Sequence, residues 1–346
     1  MSEAETLPIE KDTMADWRER ALSFEREVAG AVLGQGRAIR LITVAILARG
    51  HALLEGDVGV GKTTLLRAVA RALGGPYARV EGTIDLMPAD LVYHASLTEE
   101  GRPRLDPGPV LRHGEALSIF FFNEINRARP QVHALLLRLM AERVVGAFNR
   151  DMALPHVLVF ADRNRLERDE TFELPAAARD RFFMQVPIEA PRDPEISRRL
   201  MFETRFHDAD ALVETVAPRV LDYRALPGLA RRIQEEVRVS AHLQTYLVSL
   251  WQALRDPAGG GVRLEGVDMA RLVQGGASPR GMSALARAAR VHAWLAGRDH
   301  VLPEDVRAVF HEVLGHRVFL DSVYEHRADA LIPRLLRAVL EAVATP

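Results

Sequence analysis

The chain contains no cysteine among its 346 residues. Disulfides, thiol nucleophiles and cysteine-ligated metals are therefore excluded. Long apolar runs are also missing, because the longest one, residues 41–48, is far shorter than the roughly 20 residues that span a bilayer. Residues 1–18 are acidic and lack the apolar centre of a secretory signal. These absences predict a cytoplasmic protein with no membrane span.

Lysine is nearly absent as well, although the chain has 45 basic residues. Lys11 and Lys62 are the two lysines, and every other basic side chain is arginine. Where arginine serves elsewhere, a retained lysine suggests a task that needs a compact ammonium on a flexible stem. The formal net charge of -2 gives no general attraction to nucleic acid, so no specific nucleic-acid partner is expected.

Hydrophobic patterning divides the chain into two parts. Short apolar runs alternate with helical patterns in the first part, which predicts a parallel sheet with crossover helices. These runs are residues 51–56, 77–81, 118–124, 156–163 and 182–189. From about residue 193 the patterns are helical only, with start signals at Asp193-Pro194 and Ser278-Pro279. The sequence therefore predicts an α/β domain followed by an all-helical one.

The strongest motif is the segment 56–63, GDVGVGKT, which lies between a predicted strand and a predicted helix. Its glycines allow backbone amides to surround phosphate oxygens, and the helix that follows adds its N-terminal dipole. We expect Lys62 to reach the β- and γ-phosphates of ATP and Thr63 to bind Mg²⁺. The predicted nucleotide-binding residues of this loop are Asp57, Val58, Gly59, Val60, Gly61, Lys62, Thr63 and Thr64.

A second element is the apolar run 119–122, which ends in Asn123 and Glu124. Such a run could be a strand with a polar end and nothing more. In a nucleotide-binding protein, Glu124 would orient or deprotonate the attacking water. Asn123 would then stand beside Mg²⁺, where a carboxylate is usual.

Two further segments, EINRA at 124–128 and GASPR at 276–280, make the chain resemble the MoxR family of AAA+ ATPases from about Val32 to Arg317. The resemblance implies a P-loop αβα core with sheet order 5-1-4-3-2 and a helical lid. The corresponding domains are an N-terminal helical and polar segment (1–27), the core (28–191) and the lid (192–346). It also implies a homo-oligomeric, usually hexameric ring that remodels a protein client, such as a cofactor-dependent dehydrogenase, with a partner carrying a von Willebrand factor A domain.

The resemblance also suggests roles for particular residues. Gly34 and Gln35 lie in a segment that packs against adenine, and Asn164 matches the sensor-1 residue that positions water. Arg181 is similar to an arginine finger, with Arg179 as the second choice, and Arg280 is similar to the sensor-2 arginine. Residues 83–90 and 107–110 resemble the stretch around a pore-facing insert.

Asn123 departs from the family pattern, in which an acid holds the magnesium shell. This departure predicts weak Mg²⁺ binding and slow hydrolysis. We expect Asn123→Asp to raise turnover and to lower the magnesium concentration at half-maximal rate by about tenfold or more. If Asn123 does not contact the metal, Asp162 is the next carboxylate to consider. One alternative function is an ATP-binding scaffold with little hydrolysis. Another is an AAA+ motor on DNA or a magnesium-chelatase-like subunit, which a salt series of DNA binding would reveal.

Overall fold

A computed structural model describes residues 12–98, 100–147, 149–164 and 172–346 of the chain. Its residues pack into two compact units. The first unit runs to Phe182 and continues over Val186–Gly228, and the second comprises Phe183–Gln185 and Leu229–Pro346. The two units are distinguished by the packing within each of them. The boundary between core and lid at residues 191 and 192 stays a prediction.

The strands define the sheets of the protein, and most of them lie in the first unit. They are β1 (Ala52–Glu55), β2 (Tyr77–Glu81), β3 (Tyr93–Leu97), β4 (Pro103–Pro107), β5 (Ile119–Asn123), β6 (Val144–Ala147), β7 (Arg150–Ala153), β8 (Leu158–Arg163), β9 (Met184–Pro187), β10 (Val273–Gly275) and β11 (Phe319–Leu320). Five of them form one sheet in the order β2-β5-β8-β1-β9. Renumbered along the chain, these five strands have the order 2-3-4-1-5. Read from the opposite edge of the sheet, this is the predicted order 5-1-4-3-2, which confirms the αβα fold.

The helices fill the space around the sheet and build the second unit. They are α1 (Met14–Ala31), α2 (Gly36–Leu47), α3 (Lys62–Leu73), α4 (Pro88–Val92), α5 (Pro130–Glu142), α6 (Ala176–Arg179), α7 (Pro194–Phe202), α8 (Ala209–Glu214), α9 (Leu226–Glu236), α10 (Ala241–Arg255), α11 (Met269–Leu272), α12 (Pro279–Leu295), α13 (Pro303–Leu314), α14 (Ser322–Glu325) and α15 (Ala328–Ala342). Within the described ranges, no helix is both long and apolar enough to cross a membrane.

The central strands are apolar because both faces of the sheet are covered. Every residue of β1 and β5 is buried, as expected for parallel strands between two helical layers. On one face, Phe120 and Phe122 pack edge to face with ring centroids 6.3 Å apart. Parallel pairing joins β2 to β5, β5 to β8 and β8 to β1. The carboxyl ends of these strands therefore meet at one edge of the sheet.

In the described part of the chain, two antiparallel hairpins, β3–β4 and β6–β7, and one antiparallel strand pair, β10–β11, lie outside this sheet. The apolar runs did not predict them, because most residues of β3, β4 and β7 are exposed. The hairpin β3–β4 lies between the two segments, 83–90 and 107–110, that resemble the stretch around a pore-facing insert.

In the second unit, helix α12 begins at the Ser278-Pro279 start signal that the sequence predicts. The Ser278 hydroxyl accepts a hydrogen bond from the Gly281 N–H (3.2 Å) and caps α12. Helix α12 packs against α13. Between them, the fully buried Asp305 carboxylate accepts hydrogen bonds from Arg298 and His292. An ion pair between a buried carboxylate and a half-buried guanidinium therefore fixes the turn that joins these two helices.

Candidate nucleotide-binding site

The loop at residues 56–63 links β1 to α3 in a conformation that glycine makes possible. Gly59 and Gly61 have φ angles of 80° and 87°, in the left-handed region that other residues rarely adopt. At Gly56, an added Cβ would lie 2.2 Å from the Ile188 carbonyl oxygen. The loop therefore emerges between two strand ends with its backbone exposed, and α3 begins directly at Lys62.

The Lys62 side chain folds back over this loop. Its Nζ donates hydrogen bonds to the carbonyl oxygens of Gly56 (2.7 Å) and Asp57 (3.3 Å). Nζ also lies 3.1 Å from Oδ2 of Asp162, near the end of β8. The ammonium group is thus held by three oxygens at the mouth of the loop.

Asp162 connects the loop to the end of β5. Its side chain is only 1% exposed, and its Oδ1 accepts a hydrogen bond from the Glu124 N–H (2.5 Å). Burial raises the pKa of Asp162, while the Glu124 N–H and the Lys62 ammonium act in the opposite direction. The sequence presented Asp162 only as an alternative to Asn123. Its signal was an acid directly after buried strand residues.

Asn123 and Glu124 lie where the sequence places them, at the end of β5. Asn123 is buried, and its Nδ2 donates a hydrogen bond to Oε1 of Glu81 on the neighbouring strand (2.6 Å). Glu124 has φ and ψ of 52°, a left-handed conformation that costs a residue with a side chain about 1 kcal/mol or more. Its carboxylate pairs with Arg127 (2.9 Å) and is partly exposed.

The segment that was expected to pack against adenine lies beside the chain that follows β9. The Gln35 side chain is buried, and its Nε2 donates a hydrogen bond to the Glu189 carbonyl oxygen (2.7 Å). Gly34 has a φ of 77°, and an added Cβ would lie 2.8 Å from Cγ of Pro191. Two separate stretches of the first unit therefore meet at Gly34 and Gln35.

Asn164, Arg181 and Arg280 occupy three different settings. Asn164 is buried directly after β8, two residues beyond Asp162. Arg181 follows α6, and its Nη1 donates a hydrogen bond to the Ala177 carbonyl oxygen (2.8 Å). Arg280 is exposed on the first turn of α12, in the second unit. Asn164 thus follows Asp162 at the end of β8, whereas Arg181 follows α6 and Arg280 belongs to the helical second unit.

The donors around the loop fit Mg²⁺ better than a transition metal. The hydroxyl of Thr63, the side chain of Asn123 and the carboxylates of Asp162 and Glu124 all offer oxygen. No three His, Asp or Glu side chains in the described part of the chain converge on a common metal position. This pattern suits Mg²⁺, which is usually bound by one or two side chains together with substrate phosphates.

Comparison with known proteins identifies the family to which the two parts of the chain are similar. A family model for the ATPase family associated with various cellular activities (AAA) matches residues 51–184, and one for an AAA lid domain matches residues 268–335. The two matches cover the loop, the end of β5 and the start of α12. They support the α/β core and the helical lid that the sequence predicted.

Individual relatives cover almost the whole chain. Protein MoxR of Methylorubrum extorquens is 63% identical over 333 residues, which are 96% of this chain and 97% of that protein. Chaperone MoxR1 of Mycobacterium tuberculosis is 33% identical over 99% of this chain and 85% of its own. The crystal structure of a putative ATPase from Cytophaga hutchinsonii is 28% identical with a TM-score of 0.83, and the match covers 96% of this chain and 97% of that one. This chain therefore belongs to the MoxR family of AAA+ ATPases.

Proposed function

We propose that this protein hydrolyses ATP in a ring of identical subunits and uses the energy to remodel a protein client. The observation that carries the proposal is the convergence of Lys62, Asp162 and Glu124 at the carboxyl edge of the parallel sheet. Ligands of open α/β sheets bind at this edge. Membership of an ATPase family and a relative named as a chaperone support the activity and its use.

Each residue has a defined task in this proposal. The backbone of residues 57–61 and the N-terminus of α3 receive the phosphates, and Lys62 turns from the Gly56 and Asp57 carbonyl oxygens to the β- and γ-phosphates. Mg²⁺, when bound by Thr63 and neighbouring oxygens, would neutralise charge on the phosphates. Glu124 accepts a proton from the attacking water, which Asn164 helps to position. Arg280 keeps the role of the sensor-2 arginine that the resemblance implies.

The position of Arg181 supports a role on the nucleotide of a neighbouring subunit. The Ile188 N–H donates to the Glu55 carbonyl oxygen (2.8 Å), so β9 and β1 end at the same edge of the sheet. Arg181 precedes β9 and therefore lies toward the opposite edge, about four strand residues or roughly 13 Å away. That separation disfavours contact with the phosphates of its own subunit.

Hydrolysis is tested by phosphate release from the wild type and from Glu124→Gln. The glutamine keeps the shape but cannot accept a proton, so turnover should fall by about 100-fold or more while ATP still binds. Glu115→Gln, on the surface, is the control and should match the wild type. Wild-type protein that binds ATP without releasing phosphate would favour the scaffold alternative, which the presence of Asn123 motivates.

The arginine finger is tested by mixing variants. Arg181→Ala should bind ATP normally and hydrolyse it at least about 1000-fold more slowly, because a finger acts on charge that develops on the γ-phosphoryl group. Mixed with Lys62→Ala subunits, it should regain turnover, because some interfaces then pair an intact loop with an intact finger. Arg179→Ala serves as the comparison. Recovery with Arg179→Ala but not with Arg181→Ala would transfer the assignment to Arg179.

The partners follow from the same proposal. We expect a hexamer, a protein client of the enzyme-complex type and a helper carrying a von Willebrand factor A domain. ATP as the fuel is consistent with work in the cytoplasm. Sedimentation velocity with ATP and magnesium would detect the ring. Affinity purification of the tagged protein from its own cells would identify the helper and the client.

A further inference from the structure

The sheet edge beside the loop carries three polar side chains in one row. Glu81 on β2 pairs in register with Asn123 on β5. Phe122 pairs with Ala161 on β8, so Asp162 continues the row on the next strand. Residues paired across parallel strands point to the same face of the sheet. The row therefore reads carboxylate, amide, carboxylate, and its neutral member stands at the end of β5.

The amide of Asn123 is already engaged with Glu81, through a hydrogen bond of 2.6 Å from its Nδ2. Glu81 in turn pairs with Arg79 (2.8 Å), and its side chain is 52% exposed. Solvent and an arginine thus satisfy the carboxylate at the outer end of the row. This carboxylate has little need of another cation.

Asp162 is in the opposite situation. Its side chain is almost fully buried, and its cationic contact is Lys62. In the proposed function, Lys62 moves to the phosphates when ATP binds. A buried carboxylate that loses its cation is costly unless another cation replaces it. The divalent cation that accompanies ATP arrives at this place and at this step.

We infer that the acidic residue of the magnesium site has moved by one strand, from the end of β5 to Asp162 on β8. Asp162 supplies the anionic oxygen of the Mg²⁺ shell, directly or through a metal-bound water. A neutral asparagine suits position 123 because this position lies between the carboxylates of Glu81 and Asp162, which would repel a third negative charge. The inference rests on the proposed binding of ATP and concerns how the metal is held there.

The test measures how much Mg²⁺ strengthens nucleotide binding. A fluorescent ATP analogue is titrated against the full-length protein with excess Mg²⁺ and, separately, with EDTA. The ratio of the two dissociation constants gives the contribution of the metal. Asp162→Asn should lower this ratio by about tenfold or more, as expected for one charge-assisted contact, and leave binding in EDTA unchanged or stronger. Glu81→Gln is the matched control in the same row and should keep the wild-type ratio.

A double variant guards against simple damage to the loop. Asn123→Asp combined with Asp162→Asn returns the acid to β5 and should recover most of the lost ratio. An Asp162→Asn protein with the wild-type ratio would overturn the inference, as would a loss that occurs in Glu81→Gln instead. A wild-type protein that binds the analogue in neither buffer would remove the proposed function and this inference with it. An Asp162→Asn protein that binds the analogue weakly in Mg²⁺ and normally in EDTA would show that the substitution affects the metal and not the loop.

Discussion

Asp162 in the first unit and Asp305 in the second are both buried aspartates, but their surroundings differ. Asp305 accepts two hydrogen bonds from the Arg298 guanidinium (2.5 and 2.6 Å), one from His292 Nδ1 (2.7 Å) and one from the Leu302 N–H (2.8 Å). Asp162 contacts Lys62 at 3.1 Å and the Glu124 N–H at 2.5 Å. The carboxylate between α12 and α13 thus accepts four hydrogen bonds, whereas the one at the sheet edge is held by one lysine ammonium group and one backbone N–H.

The pKa values follow this difference. Burial raises the pKa of Asp162, and its two contacts oppose the rise. Burial is also the strongest single influence on Asp305, but hydrogen bonds from Arg298, His292 and Leu302 together lower its pKa to about 2. A buried aspartate with a complete set of donors stabilises the fold. One with an incomplete set remains available for a ligand.

Of the two buried aspartates, Asp305 is expected to have the largest effect on the free energy of unfolding. Asp305→Asn should lower the free energy of unfolding by about 3 to 5 kcal/mol, because it leaves Arg298 without its buried partner. Urea unfolding followed by circular dichroism measures this change. Glu304→Gln, next to it but exposed, should stay within about 0.5 kcal/mol of the wild type. A loss below 1 kcal/mol would show that the network contributes little.

Lys62→Ala should lower the affinity for ATP on the order of 100-fold or more, because it removes the charge-assisted contacts to the phosphates. It should also destabilise the first unit by about 1 to 3 kcal/mol, because Asp162 is left as a buried acceptor without a cation. Adding Asp162→Asn should restore the stability but not the binding. Calorimetry with ATP and thermal melting separate the two effects. A double variant that melts like Lys62→Ala would contradict this coupling.

The stabilisation that the ionised Asp305 gives to the fold should decrease in acid. Its folded-state pKa of about 2 lies below the ordinary value of 3.8, so the stabilisation is complete above about pH 4. It is lost as the pH falls toward 2, and its full size is about 2 kcal/mol. Unfolding of wild type and Asp305→Asn at pH 5 and pH 3 should show a smaller gap at the lower pH. An equal gap at both values would exclude this titration.

The smallest effect is expected for Asn123→Asp alone. The sequence suggested about a tenfold gain in magnesium binding from this change. The structure predicts less than about a threefold change, because Asp162 already supplies the charge and Glu81 lies on the other side. A magnesium titration of steady-state ATPase activity, on both proteins at one subunit concentration, distinguishes the two expectations. A tenfold gain in apparent magnesium affinity would instead indicate that the side chain at position 123 on β5 is the metal ligand.

The sheet was predictable because its strands are buried on both faces. Residues 119–122 are apolar without interruption, and the structure gives β5 as Ile119–Asn123. The hairpin β3–β4 was not predictable in the same way. Its strands are largely exposed and contain polar residues such as His94 and Arg104, so no apolar pattern marks them. Pairing between the two strands sets their conformation, and this pairing leaves no apolar periodicity in the sequence.

The candidate site was predictable where it is local. The glycines before Lys62 lie within one loop, so their spacing alone indicated phosphate binding. The importance of Asp162 depends on the register between β5 and β8, which are separated by more than 30 residues. From the sequence, Thr63 and Asn123 are the expected metal ligands and Asp162 is the next candidate, and their relative placement in the sheet is not given by any one strand. That the Asp162 carboxylate on β8 lies beside Asn123 on β5 is known only from the pairing of the two strands.

The scarcity of lysine gives the site a practical use in chemical labelling. Lys62 is one of two lysines in the chain, so an amine-selective acylating reagent modifies few positions. The ammonium group of Lys62 is enclosed by Asp162 and two carbonyl oxygens, and its side chain is 10% exposed. Acylation at this position, followed by mass spectrometry, would therefore report how often that enclosure opens. The same peptide would show directly whether a bound nucleotide shields the amine, without any engineered probe.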